Sequence, residues 1–235
     1  MGNGLGAVSN SLNINQTKME SLANNLANVN STGYKRELPF ERIISDEGDI
    51  SISKGLDFAE GELIETNNSL DLALKGDAFF VVDNNGGMEF TRNGKFTLTE
   101  DGYIVDNVGN KLMGQNGEIQ LEEDFWNKDR LVSINTSGDI YVGDNYIDTL
   151  MVVGVENKDD LQKVENNNFR LTNGYFENLD EGEYEVRQGY LEGSNVNPIF
   201  EMEEMIRISK DYESAQKMVR SIDSIMEQAN EIGEV

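Results

Sequence analysis

The sequence predicts an α+β chain in which a central antiparallel all-β domain is flanked by N- and C-terminal heptad helices. Two patterns carry that expectation. Apolar residues at both ends recur three and four apart, whereas the middle alternates at period two between turns rich in Gly and Asn. The 235 residues suffice for one sizeable core, and 23 Gly against two Pro suit a chain with many turns.

The N-terminal segment, residues 1–36, reads as a helix. Leu5, Val8, Leu12, Asn15, Met19, Leu22, Leu26 and Val29 form a heptad seam with one polar member, Asn15, and Gly33 suits a C′ stop. Residues 37–69 show no sustained helical period and read as an extended linker with a short hairpin or two. The β-domain is assigned to residues 70–190. Phe79 and Val81, Met88 and Phe90, Phe96 and Leu98, and Tyr103 and Val105 alternate there. The turn signals are Asp83-Asn84-Asn85-Gly86-Gly87, Asn93-Gly94, Asp101-Gly102 and Gly109-Asn110. Further strands are expected at Leu131–Ile134, Ile140–Val142, Leu150–Val155 and Tyr184–Val186.

Residues 191–235 form a hinge and the C-terminal helix. Gly193-Ser194-Asn195-Val196-Asn197 supplies loop and cap, with Asn197 at N-cap and Pro198 at N1. Met205, Ile208, Tyr212, Ala215, Val219, Ile222, Met226 and Ala229 continue the heptad to a closing Gly233. The spacing does not distinguish pairing within one chain from pairing between chains. Neither helix carries enough apolar residues off its seam to be buried on all sides.

Charge and composition exclude several classes. The net charge of −25, from 44 acidic and 19 basic residues, opposes binding to nucleic acid or to an anionic membrane. Residues 1–37 carry +1 and residues 198–235 carry −5, so the middle holds −21. That acidity serves solubility, and its self-repulsion would also keep copies of the chain apart. Ala78–Val82 and Leu150–Val155 are too short to span a bilayer, so no direct membrane insertion is expected. With no Cys and no His, thiolate metal sites and Ser–His–Asp or Cys–His chemistry are ruled out. Asp83-Asn84-Asn85-Gly86 lacks EF-hand spacing, and neither metal nor cofactor is expected. A carboxylate-pair glycosidase remains open by composition but has one Trp, Trp126, as a sugar platform. An acidic adhesin would leave the two seams unexplained. The start, MGNGLGAVSN, lacks the basic and apolar regions of a secretory signal.

Three stretches carry a family resemblance. LANNLANVNSTGYKR (22–36) resembles the N-terminal signature of the bacterial flagellar rod and hook axial proteins. DLALKGDAFFVV, followed by EFTRNGKFTLTEDGYIVDNVGNKLMG, is similar to the start of their β-domain. QGYLEGSNVNPIFEMEEMI resembles the approach to their C-terminal helix. The three lie in the family's order, and length and the intact β-domain favour rod proteins of the proximal or distal type. Two departures are Ala78, where the family usually has Gly, and Lys210-Asp211-Tyr212, in place of an Arg-containing stretch.

The resemblance implies a structural subunit and no enzyme. It would be exported unfolded by the flagellar export apparatus without a cleavable signal, and polymerised in the basal body. Its partners would be copies of itself and other rod and hook axial proteins, with the terminal helices paired as a coiled-coil layer on assembly. The expected assembly residues are Leu22, Asn24, Asn25, Leu26, Asn28, Val29, Gly33, Ser194, Asn195, Asn197, Met205, Ile208, Tyr212, Val219 and Ile222. Asn24, Asn25 and Asn28 would hydrogen-bond between helices of neighbouring subunits, since an amide both donates and accepts.

Overall fold

The computed structural model describes residues 2–43, 50–84, 86–121, 132–180 and 182–233. Asn85, Trp126 and Leu131 lie outside the described residues. Among the described residues the architecture is α+β, with two α-helices, two short 3-10 turns and antiparallel strand pairings. The chain divides into two compact units. A helical unit comprises Met1–Val29, Arg36–Asp57 and Val196–Val235, and a β-unit comprises Asn30–Lys35 and Phe58–Asn195.

In the helical unit, α1 (Gly2–Ala27) and α2 (Pro198–Gly233) pack on one another. Leu22 and Ile208 are buried on the seam, and Val8, Leu12, Met19, Met205, Tyr212, Val219 and Ile222 are half-buried. Asn197 caps α2 as its residue type and Pro198 predict: its Oδ1 accepts from the Ile199 N–H at 3.0 Å and the Phe200 N–H at 3.3 Å. Strands Arg36–Ile43 and Ile50–Asp57 form an antiparallel ribbon with Arg36 opposite Asp57 and Ile43 opposite Ile50. Part of the expected linker is therefore a long hairpin.

Helix α1 stops at Ala27, short of residue 36, so Val29 falls in a turn outside the helix and Gly33 is not its C′ stop. The Asn28 N–H closes the last turn on the carbonyls of Asn24 (3.2 Å) and Asn25 (3.1 Å). Gly33 does adopt the left-handed region (φ 66°), but for a different reason: a Cβ there would stand 2.3 Å from the Asn93 backbone nitrogen. Its glycine is required by close packing inside the β-unit.

The main sheet of the β-unit runs in the order Leu161–Lys163, Asn168–Leu171, Met88–Thr91, Phe79–Asp83, Lys111–Gly114, Ile104–Val105 and Thr97–Leu98. Val152–Val155 pairs with Phe79–Asp83 and with Phe176–Asn178. Val132–Ile134, Asp139–Val142 and Asn145–Thr149 form a separate three-stranded meander. Leu72–Lys75 pairs with Glu185–Gln188, and Leu63–Glu65 with Tyr190–Glu192. The unit is thus closed by a strand that precedes residue 70 and one that extends past residue 190, because each is the other's hydrogen-bonding partner.

Phe79, Phe80, Val81 and Val82 are all buried, although period two would send alternate residues to water. Phe80 packs edge-on to Phe96 (5.5 Å, 88°) within a core that includes Leu72, Leu74, Leu112, Ile140 and Val186. Phe79 packs with Phe58 (5.6 Å) and Phe169 (6.1 Å). A strand covered on both faces reads as a continuous apolar run. Ala78 is fully buried and belongs to the main core, where its methyl group is accommodated.

Candidate functional site

Two buried polar clusters, one in each unit, draw in the residues of the three signature stretches. The first lies in the helical unit and is centred on Asn25, which is fully buried. Its Nδ2 donates to the Glu37 carbonyl and to Glu201 Oε2, both at 3.0 Å, while the Glu37 N–H donates to its Oδ1 at 2.8 Å. Arg36 Nε completes the cluster at 2.5 Å from Glu201 Oε1, with its guanidinium 5.1 Å from the Phe200 ring centroid. Glu201 is fully buried, so its carboxylate depends on these partners. Asn25 therefore ties α1, the first ribbon strand and α2 together inside one chain. The bonds of its amide to Glu37 and Glu201 are internal to the chain, whereas the sequence led us to expect a bond between subunits.

The second cluster lies in the β-unit, where Lys35, Arg92 and Glu192 form an ion triad. Lys35 and Glu192 are each 1% exposed and Arg92 is 3% exposed. Lys35 Nζ lies 2.7 Å from Glu192 Oε1, and Arg92 Nε lies 2.7 Å from Glu192 Oε2. The remaining donors end on backbone carbonyls. Lys35 reaches Ala59 (2.7 Å), and Arg92 reaches Gly76 (2.7 Å), Ala78 (2.6 Å) and Leu74 (3.2 Å). Burial pushes the Lys35 ammonium below the ordinary lysine value, and the Glu192 carboxylate partly offsets this.

Glycines let the backbones meet at this point. A Cβ on Gly94 would stand 1.6 Å from the Leu72 carbonyl oxygen, and one on Gly61 would stand 2.0 Å from the Gly193 carbonyl oxygen. Asn93-Gly94, expected as a hairpin turn, connects strands that do not pair with each other. Instead Asn93 Oδ1 accepts from Thr32 Oγ1 at 2.7 Å, and the Gly94 carbonyl accepts from the Leu72 N–H at 2.9 Å. Asp101-Gly102 does join paired strands, Thr97–Leu98 and Ile104–Val105. Sequence reading missed Lys35, Arg92 and Glu192 as a group. The available signal was that each sits inside one of the three signature stretches, although nothing in one dimension shows that they meet.

The other expected assembly residues are dispersed. Asn24 is exposed, and Asn28, half-buried, donates through Nδ2 to the Asn24 carbonyl at 2.9 Å. Leu26 and Ser194 are half-buried, and Asn195 Nδ2 donates to the Ala59 carbonyl at 3.1 Å. What the heptad reading missed is a second apolar face on α2. Ile199 (73% exposed), Met202 (45%) and Ile206 (58%) lie on its early turns away from the seam, and Met218 and Ile225 are exposed further along. Between α1 and α2 lies a groove of about 440 Å³ lined by Val8, Ser11, Asn15, Asp211, Ser214, Ala215 and Met218.

The helical unit, built from α1 and α2, thus bears apolar side chains in solvent. Comparison with known proteins shows what the chain resembles. Residues 73–142 match the flagellar hook protein FlgE/F/G D1 domain, and residues 187–232 match the flagellar basal body rod FlgEFG protein C-terminal domain. The chain is 29% identical over 223 residues to the flagellar basal-body rod protein FlgF of Rhizobium meliloti, covering 92% of this chain and 91% of that one. It is 28% identical over 246 residues to FlgG of Bacillus subtilis, covering 91% and 92%, and 28% identical over 246 residues to FlgF of Salmonella typhimurium, covering 97% and 95%. Over most of its length the chain is thus similar to flagellar basal-body rod proteins, and both domain matches lie among the same axial proteins.

Proposed function

We propose that the chain is a structural subunit of the bacterial flagellar basal-body rod, delivered by the flagellar export apparatus and polymerised into the shaft that transmits torque to the hook. The observation that carries the polymerising role is the outer face of α2. The heptad seam is already occupied by the pairing of α1 with α2 inside one chain. Ile199, Met202 and Ile206 remain in solvent. Removing one such side chain from water contributes about 1.5–3 kcal/mol, so a contiguous set repeated at every subunit contact favours a filament. Asn24, exposed on α1, supplies an amide at the same kind of surface. Among the described residues, no helix is long and apolar enough to cross a membrane.

Two experiments test the reading. Electron microscopy of basal bodies from a deletion strain is expected to show rods arrested short of the hook. Complete rods carrying hooks would overturn the proposal. Ile199→Ser with Ile206→Ser in the full chain tests the surface itself. The double variant is expected to unfold at the parent's denaturant midpoint yet leave cells non-motile. Full motility would remove this face from the assembly.

A further inference from the structure

Lys35, Arg92 and Glu192 are widely separated in sequence yet share one desolvated point of the β-unit. Two of the charges are positive and one is negative. The carboxylate comes from Tyr190–Glu192, the last strand of the unit to be reached along the chain. That strand binds by more than charge. The Gly33 N–H donates to the Glu192 carbonyl at 2.8 Å, the Gly193 N–H donates to the Glu62 carbonyl at 2.8 Å, and Leu191 stands opposite Ile64. The Gly61 N–H also donates to Glu192 Oε1 at 3.0 Å.

We propose that this ion triad is a closing lock: the β-unit reaches its folded state only when strand Tyr190–Glu192 delivers the Glu192 carboxylate to Lys35 and Arg92. Without that carboxylate, folding the earlier part of the β-unit would bury two cations side by side, with backbone carbonyls and the weaker pull of Glu60 as their remaining partners. A desolvated charge stripped of its counter-charge is strongly destabilising. The lock thus opposes a compact state made from the earlier part of the β-unit alone. One consequence rests on the export reading above. A chain emerging amino end first would keep its β-unit open until nearly all of that unit had passed.

The test uses the full-length chain and follows hydrogen exchange in strand Phe79–Asp83, which belongs to the β-unit. Glu192→Gln keeps the shape and some hydrogen bonds but leaves the cluster with one more uncompensated positive charge. It is expected to lower the folding equilibrium by about 100-fold or more, chiefly through slower refolding, because the lock must close for the barrier to be crossed. Lys35→Met added to Glu192→Gln restores the parent cluster's net charge and is expected to recover about 10-fold or more of that loss at neutral pH.

Alkaline pH supplies a further readout. Lys35 faces Glu192, Arg92 and Glu60, and burial already lowers its proton affinity in the folded state. Folding is therefore penalised while Lys35 is protonated. The penalty is relieved as pH rises from the lowered folded value towards the ordinary one, where the unfolded chain binds more protons than the folded chain. Glu192→Gln removes the offsetting carboxylate, so its stability should rise with pH more steeply than the parent's and from a lower pH.

A Glu192→Gln chain as stable as the parent would overturn the lock. A loss confined to faster unfolding, or a double variant no better than the single one, would do the same. If Glu192→Gln fails to fold at neutral pH, folding of the double variant supports the proposal and its failure to fold overturns it. These readouts concern the isolated chain, whereas the deletion strain judges the rod assignment, so the two failures are distinguishable.

Discussion

Asn25 shows how a side chain can be conspicuous in sequence for one reason and useful in the fold for another. An asparagine weakens a helix because its amide competes for backbone groups. Here the competition is absorbed by fixed partners: the Glu37 backbone and the Glu201 carboxylate. Asn25→Ala leaves a buried carboxylate and a buried N–H with fewer partners and is expected to cost about 2–4 kcal/mol. Denaturant unfolding followed by helical circular dichroism measures it. Asn24→Ala, at an exposed position, is the control and should stay within about 0.5 kcal/mol of the parent. The adjacent cations of the same signature separate cleanly. Lys35 is consumed by the β-unit triad and Arg36 by the Glu201 cluster, so neither is a spare surface charge.

At the scale of elements, the two helices illustrate what periodicity can and cannot deliver. The seams were legible because a 3.6-residue period puts i, i+3 and i+4 on one face whatever the partner. The end of α1 was not legible, since Leu26 and Val29 continue the pattern while the backbone leaves the helix after Ala27. The start of α2 was legible because a cap is local chemistry. Asn197→Ala removes an acceptor for two N–H groups and is expected to cost about 0.5–2 kcal/mol. Loss of protection at Ile199 and Phe200 in hydrogen exchange would locate the effect. The strand from Phe79 to Val82 failed the alternation rule for a tertiary reason, having side chains packed on both of its faces.

At the scale of the whole molecule, net charge sets behaviour that no single contact explains. A chain of −25 repels its own copies in dilute salt. The exposed apolar face of α2 acts in the opposite direction. Self-association of the purified chain, followed by analytical ultracentrifugation, is therefore expected to rise with ionic strength as screening shortens the range of repulsion to about 10 Å at 0.1 M and less beyond. A weight-average mass independent of salt would mean that repulsion does not control association.

The sequence by itself determined the α+β class, the helical seams, the cap at Asn197 and the strands from Phe79 to Val105 with those around Ile134, Ile140, Val153 and Val186, because periodicity, capping and turn chemistry are written in neighbouring residues. It also carried the resemblance to the flagellar rod and hook axial proteins, since the three ordered motifs are legible in one dimension. Tertiary structure alone decided that Lys35, Arg92 and Glu192 meet, that Asn25 bonds inwards, and that the β-unit is closed by strands lying outside residues 70–190. It decided too which apolar side chains of α2 stay in water. Those outcomes depend on contacts between residues as many as 176 positions apart, as from Asn25 to Glu201. Burial and charge pairing at that range are properties of the packed chain and leave no local period to read.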